Sequence, residues 1–382
     1  MKTTWVSIPE VLFFQEGPGV RNTQYTANGV KLLNVANLVD SKIDLSTSDR
    51  YISEEEAYGK YKHFLCDAGD FVIASSGIKV EYIDKKMGFV DASMLPLCMN
   101  TSTIRFKVLD KNKLRIRYFM YYLKSQHFKG QLFRQITGSA QLNYGPSHLK
   151  KMVIPLISLD EQDEIIACMD RVQNTIALRQ QELTYLDDLV KARFVELTES
   201  VNTVATRMGD IATYINGYAF KPTDWTESGL PIIRIQNLND VNAKYNYFDG
   251  KIDSKYLVTT GDVLVSWATH LEAYIWDGDS AWLNQHIFKA LFDKMPINKL
   301  YFVYATEDAL RQAFKNAHGF KPTMEHIKRR DFENAIVKLP DMEIQNQFAD
   351  FVARTNKSKA AVQKSLDETQ VLFDSLMQKY FG

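Results

Sequence analysis

The sequence predicts an α+β chain made of two similar mixed α/β lobes, each followed by a long helix, with the two helices paired antiparallel as a coiled coil. Three observations predict it: a run of coiled-coil periodicity over 159–197, a second such run over 343–381, and a collinear internal repeat linking what precedes each. The implied organisation is a lobe at 1–158, a helical spacer at 159–197, a second lobe at 198–340 and a second spacer at 341–382.

The first lobe opens with Trp5 to Ile8 and a Gly-Pro-Gly turn at Gly17 to Gly19. Apolar runs predict strands over 30–38, 71–75 after the Gly69-Asp70 turn, and 103–108. The period then changes, and 117–123 and 131–136 read as helices. A polar stretch from Gly138 to Asn143 and the basic segment His148-Leu-Lys150-Lys151 follow, and Pro155 closes the lobe.

In the first spacer, Ile165, Met169, Val172, Ile176, Leu183, Leu186, Val190 and Leu197 step by threes and fours, with Arg179 and Arg193 on the same seam. Neither Gly nor Pro interrupts it, and at ~1.5 Å per residue about 35 residues span ~50 Å. Acidic residues crowd its first turns, where they complement the helix dipole. The polar stretch 198–203 reads as a linker. The second spacer carries Ile344, Phe348, Phe351, Val362, Leu366, Phe373, Leu376 and Tyr380 on its seam, diluted by Thr355, Ser358 and Thr369.

The repeat is readable in register. Gly17, Arg21, Gly29 and Asn37 match Gly217, Lys221, Gly229 and Asn237 at an offset of 200, which drifts to 192 at Gly69/Gly261 and 183 at Tyr118/Tyr301. His148 then meets His326, Pro155 and Gln162 meet Pro340 and Gln347 at 185, and Phe194 meets Phe381 at 187.

Composition bounds the function. Net charge is zero, yet the first 158 residues hold 21 basic and 14 acidic residues, whereas 159–197 hold 4 and 9. The first lobe can therefore meet phosphate, and the acidic helix suits a protein partner better than DNA. Three scattered cysteines and no 18-residue apolar window lead us to expect a cytoplasmic protein outside the membrane. Phosphate-loop, dinucleotide, zinc-helix and serine-elbow motifs are missing, as is an Asn/Asp-Pro-Pro-Tyr tetrapeptide, so no catalytic or metal-ligating residue is assigned. His270 and His286 flank an aromatic stretch with Trp267, Tyr274, Trp276 and Trp282, a composition more typical of core than of a pocket.

Two similar readers on a stiff spacer suit duplex DNA, whose repeat of about 34 Å lies within reach of such a rod. The candidate DNA-binding residues are the polar and basic side chains of the lobes: Arg21, Lys31, Asn37, Lys79, Gln141, Asn143, His148, Lys150 and Lys151 in the first, with Lys221, Arg234, Asn237, His270, Lys321, His326, Lys328 and Arg329 in the second. The same layout also allows a coiled-coil interaction scaffold whose lobes bind peptides and have no DNA role.

Nearly the whole chain resembles the specificity subunit of type I restriction–modification systems. Gly29-Val-Lys-Leu-Leu-Asn-Val-Ala-Asn-Leu38 and Gly229-Leu-Pro-Ile-Ile-Arg-Ile-Gln-Asn-Leu238 are similar to the early strand of that family's target-recognition domains. Asn284-Gln285-His286, the spacer entry Pro155 to Gln162 and the ending Leu376 to Gly382 resemble further recurrent pieces. Two places depart from the pattern: Thr101-Ser102-Thr103 stands where the first lobe would carry Asn-Gln-His, and the second entry, Pro340 to Gln347, lacks a Glu-Gln pair in register. The resemblance implies a non-catalytic subunit that reads a bipartite double-stranded DNA target. It also implies docking of two modification (methyltransferase) subunits, which bring S-adenosylmethionine, and of a restriction subunit, which brings ATP and Mg.

Overall fold

The computed structural model describes residues 3–135, 142–240, 242–268, 271–318 and 328–382. Helix and strand are mixed in each half, and the chain divides into two compact units: Met1–Arg179 with Ser365–Gly382, and Gln180–Lys364. The division falls inside the long helices, Leu159–Ser200 and Met342–Phe381, because each lobe buries apolar side chains against the nearer part of both.

In the first unit a four-stranded antiparallel sheet orders Leu12–Glu16, Thr103–Val108, Phe71–Ala74 and Met87–Phe89. Its apolar face meets the helix Ile116–Lys124 through Phe71, Phe106 and Phe119, whose rings lie 4.9–6.3 Å apart. A second sheet pairs Val30–Leu33 in parallel with Leu97–Met99 and antiparallel with Tyr51–Ile52. The second unit repeats this plan: Thr213–Asn216, Ile287–Leu291, Val263–Ser266 and Ala273–Ile275 form the four-stranded sheet, and Leu230–Ile233 runs parallel to Ala281–Leu283. Two short pairs also correspond, Thr4–Ser7 with Val153–Leu156 and Val204–Arg207 with Ile336–Leu339.

The strand expected over 30–38 stops at Leu33, because Asn34 and Asn37 turn the backbone into a single 3-10 turn. The stretch read as a linker from 198 continues the first long helix to Ser200.

Inside the first unit, Ile165 and Met169 share a core with Met377 and Phe381, so the start of one long helix meets the end of the other. Inside the second, Asp187 pairs with Lys359, Arg193 lies over Phe351 and Phe194 meets Phe348, an antiparallel progression. All eight apolar seam positions of the first helix are buried or half-buried. On the second helix Thr355 is buried and Thr369 half-buried, but Ser358 is exposed. Val352, Met377 and Phe381 carry more of the seam than its sequence pattern suggests.

The entry to each long helix is locked by one buried glutamine. Gln162, fully buried, accepts from the Arg115 N–H at 2.8 Å and donates to the carbonyls of Lys113 at 2.8 Å and Ile157 at 3.0 Å. Its counterpart is Gln345, which accepts from the Asn298 N–H at 3.0 Å and donates to the Pro340 carbonyl at 2.9 Å. Gln347, the partner expected at an offset of 185, is exposed, so the offset of 183 persists through the helix entry. Phe194 and Phe381 do correspond, each lying 5.2–5.3 Å from the repeated tyrosine of its unit, Tyr301 or Tyr118. The second helix therefore holds four more residues than the first between these landmarks, close to one full turn, which returns the phenylalanine to the same face.

Candidate nucleic-acid interface

Both lobes bring several loops together where the parallel strand pair ends. In the first, Leu33 lies opposite Met99, and the next residues, Asn34 and Asn100, stay joined by an Asn100 N–H to Leu33 carbonyl bond of 3.1 Å. The Gly17 N–H donates to the Thr103 carbonyl, and a Cβ on Gly17 would lie 2.1 Å from the Asn100 carbonyl oxygen, so only glycine lets the first loop pass this turn. The Ser75 N–H donates to the Ser102 carbonyl at 2.8 Å, and the short strands Ser76–Ile78 and Leu142–Asn143 pair beside it. The loops beginning at 17, 34, 75, 100 and 142 thus converge.

The second lobe repeats the three backbone bonds of this arrangement. The Asn284 N–H donates to the Ile233 carbonyl at 3.1 Å, the Gly217 N–H to that of Ile287 at 3.1 Å, and the Trp267 N–H to that of His286 at 3.5 Å. Gly217 faces the same close approach, 2.1 Å to the Asn284 carbonyl oxygen. This register corrects one reading of the sequence: Asn284-Gln285-His286 corresponds to Asn100-Thr101-Ser102, one residue earlier than Thr101-Ser102-Thr103. The asparagine is present in both lobes, at the position whose backbone N–H closes the parallel pair.

The predicted contact residues separate by environment. Asn37 is fully buried; its Oδ1 accepts from the Asn34 N–H at 2.9 Å and its Nδ2 donates to the Asp44 carbonyl at 3.1 Å. Asn237, 7% exposed, makes the same bonds with the Arg234 N–H and the carbonyls of Ala243 and Lys244. These two are corrected from surface readers to loop locks: reaching a base would strip buried backbone groups of their partners. Lys31 sits on its strand three residues before Asn34, 2.8 Å from Asp49, whose hydrogen bond holds the ammonium above its ordinary pKa. Arg329 pairs with Glu333 at 2.7 Å.

Arg21, Lys79, Lys150, Lys151, Lys221 and Lys328 are exposed. Arg21 and Lys79 lie on the converging loops, and Lys221 repeats Arg21. His148 accepts the Gly145 N–H at its Nδ1, 3.1 Å away, which leaves its other ring nitrogen to carry the proton when the ring is neutral. Lys150 and Lys151 follow on the turn that leads into Val153–Leu156. Arg234 is half-buried, lies 5.5 Å over the Trp225 ring and donates to Asn246 Oδ1 at 3.2 Å. Gln141, His270, Lys321 and His326 lie outside the described residues, as does the side chain of Asn143.

Sequence reasoning passed over Asn284 as a site residue, and it passed over the pair Asn34 and Asn100, whose amides close on each other at the equivalent place in the first lobe. The aromatic stretch flanked by His286 divides: Trp276 is core, whereas Trp267 stacks on Phe288 at 5.7 Å and meets His286 edge-on at 5.3 Å. His286 and Arg234 line a cleft of about 370 Å³. Among the described residues no cluster of His, Cys, Asp and Glu could hold a metal ion, and no helix is long and apolar enough to cross a membrane. Burial pushes the thiols of Cys66 and Cys98 up to about 12, so neither is poised as a nucleophile.

Two lobes of one topology, each presenting polar loops at a strand-pair end and each joined to a long helix, form an internally duplicated module. The family model for the type I restriction modification DNA specificity domain matches the chain twice, over residues 21–187 and 201–368, and the chain belongs to that family. It is similar to the type I restriction enzyme EcoBI specificity subunit of Escherichia coli, 28% identical over 41% of this chain and 34% of that protein. The MjaVIII specificity subunit of Methanocaldococcus jannaschii is 25% identical over 49% of this chain and 43% of its own length. These matches thus span about a third to under a half of the curated relatives. The fold is shared with the type I restriction–modification S subunit from M. genitalium, with TM-score 0.54, 15% identity, and 100% of this chain and 96% of that one covered. A chain solved for the structural basis underlying complex assembly and conformational transition of the type I R-M system gives TM-score 0.62, 16% identity and coverage of 99% of this chain and 97% of that one.

Proposed function

We propose that this chain is the DNA-reading specificity subunit of a type I restriction–modification complex, each lobe reading one half of a bipartite duplex target. The observation that carries the reading is the double match to the DNA specificity domain, each copy falling on a lobe whose loops converge at one strand-pair end. Exposed Arg21, Lys79, Lys150, Lys151, Lys221 and Lys328 supply sequence-independent phosphate contacts, and shorter polar side chains of the converging loops meet base edges. The chain performs no chemistry itself. Two methyltransferase subunits bring S-adenosylmethionine, and a restriction subunit brings ATP and Mg.

The long helices are the docking surface for the methyltransferase subunits. Leu178, Val371 and Leu372 within the first unit, and Tyr185, Leu189 and Val195 within the second, are 49–69% exposed, outside the seam. Apolar side chains displayed beside an acidic helical surface suit a protein partner and repel phosphate.

Co-expression with the adenine methyltransferase subunits, followed by genome-wide methylation mapping, tests the function. The expected result is a split motif, of which replacing residues 1–158 by another first lobe alters one half only. Methylation without a sequence motif would refute the reading, and partner assembly without any DNA binding would return the scaffold alternative.

A further inference from the structure

The lobes share an asparagine at the end of the parallel strand pair but satisfy it differently. In the first lobe Asn34 and Asn100 close on each other: Asn100 Nδ2 donates to Asn34 Oδ1 at 2.7 Å, and Asn100 Oδ1 accepts from the Thr101 N–H at 2.8 Å. Asn34 Nδ2 is in turn held by the Leu32 carbonyl at 3.1 Å. In the second lobe Arg234 takes the place of Asn34, and Trp225 and Asn246 draw its guanidinium aside. The Asn284 side chain makes neither of these bonds: an arginine offers no acceptor for its Nδ2, and its Oδ1 is enclosed and accepts no hydrogen bond among the described residues.

Asn284 and Arg234 line the same cleft of about 370 Å³. The other polar groups there have partners already. Gln236 Nε2 donates to the Lys244 carbonyl, Asn239 Oδ1 accepts from the Tyr274 hydroxyl, and Asp240 Oδ1 accepts from the Asn242 N–H. His286 also lines the cleft, with its ring packed edge-on against Trp267 at 5.3 Å, so what the cleft offers a ligand is chiefly an amide beside a guanidinium whose fork is only partly used. Asp240 also lines the cleft, and its carboxylate disfavours phosphate there. An amide and a guanidinium are instead the two groups that pair with the major-groove edge of a purine, N6/N7 of adenine or O6/N7 of guanine.

We propose that this cleft reads one purine of the half-target facing the second lobe, with Asn284 and Arg234 as specificity-determining side chains. The equivalent place in the first lobe, closed by Asn34 and Asn100, reads no base. The inference rests on the DNA-reading function proposed above.

The test uses the full chain assembled with its methyltransferase subunits and selection of bound duplexes from a random library. Asn284→Ala and Arg234→Ala are each expected to lose about ten-fold to a hundred-fold preference at one position of one half-motif, leaving every other position intact. Asn100→Ala is expected to lower thermal stability and keep the whole motif. Should an alanine variant fail to assemble, Asn284→Ser and Arg234→Lys carry the same expectations. Native specificity at every position in both cleft variants, loss of preference at all positions together, or a changed base in Asn100→Ala would each overturn the proposal. A native complex that selects no sequence would remove the parent function as well, so the two failures are distinguishable.

Discussion

Replacing Gln162 by alanine is expected to loosen the entry of the first long helix far more than its single side chain suggests. The amide makes three bonds of 2.8–3.0 Å in a fully buried position. Its loss leaves the Arg115 N–H and two carbonyls without those partners. Each bond contributes about 1 kcal/mol net, and a buried group left unpaired costs about 1–3 kcal/mol, so the change amounts to ~2–4 kcal/mol after partial relaxation. Gln345→Ala removes two equivalent bonds and is expected to cost ~2–3 kcal/mol. Gln347→Ala, at an exposed surface, stays within about 0.5 kcal/mol. Because the two units need not unfold together, native-state amide exchange is the assay, read at Arg115 and Asn298 alongside urea unfolding. If Gln347→Ala deprotects Asn298 as much as Gln345→Ala does, or if Gln162→Ala leaves Arg115 protection unchanged, the paired-lock account is wrong.

Further consequences follow from the electrostatics and the surfaces. Asp70 and Arg105 are buried at 3.3 Å, and Arg105 is also held by Gln15 and the carbonyls of His63 and Leu65, so Asp70→Ala strands a buried cation and is expected to destabilise the first unit by ~3–5 kcal/mol in urea titration. Burial holds the Lys124 ammonium down to about 8, against the offsetting charges of Asp84 and Asp170 and alongside Lys129 and Arg117. The folded chain then binds fewer protons than the unfolded one between about pH 8 and 10.5, so this residue's destabilising contribution fades as pH rises through that window. Lys124→Met is accordingly expected to raise Tm by a few degrees at pH 7 and by little above pH 10, and an equal gain at both would contradict this. Lys150→Ala with Lys151→Ala is expected to reduce the salt slope of DNA binding by up to about 2 without altering the selected motif, as measured by titration at several salt concentrations. Val371→Ser with Leu372→Ser is expected to weaken co-purification with the methyltransferase subunits while changing unfolding free energy by less than about 0.5 kcal/mol, since both side chains are exposed.

The helical seams were legible because a 3.5-residue period depends on which residues are apolar, and most of the expected seam positions are covered. Ser358 is exposed although the next residue, Lys359, reaches Asp187 on the first helix, and periodicity carries no information about which side chains of a turn the partner covers. The duplication was legible wherever glycines fix turns, as at Gly17 and Gly217, since no other residue fits against the asparagine carbonyl. It slipped by two residues at the second helix entry, where Gln345 and Gln347 offer the same side chain and only burial distinguishes them. Asn37 and Asn237 show the limit for site residues, because an asparagine that locks a loop and one that reads a base have the same chemistry in a sequence.

The sequence by itself determined the two-copy plan, the long helices, the family and the kinds of side chain offered to DNA, all of which follow from local spacing and residue type. Tertiary structure decided which polar groups are spent inside the protein. Asn34 and Asn100 are 66 residues apart, and their hydrogen bond exists only because a parallel strand pair brings their backbones side by side. The same pairing in the second lobe sets Arg234 beside Asn284, where the larger side chain turns away to Trp225 and the enclosed amide oxygen accepts no bond among the described residues. Whether a polar side chain is satisfied depends on distances between residues remote in the chain, which the order of residues alone does not supply.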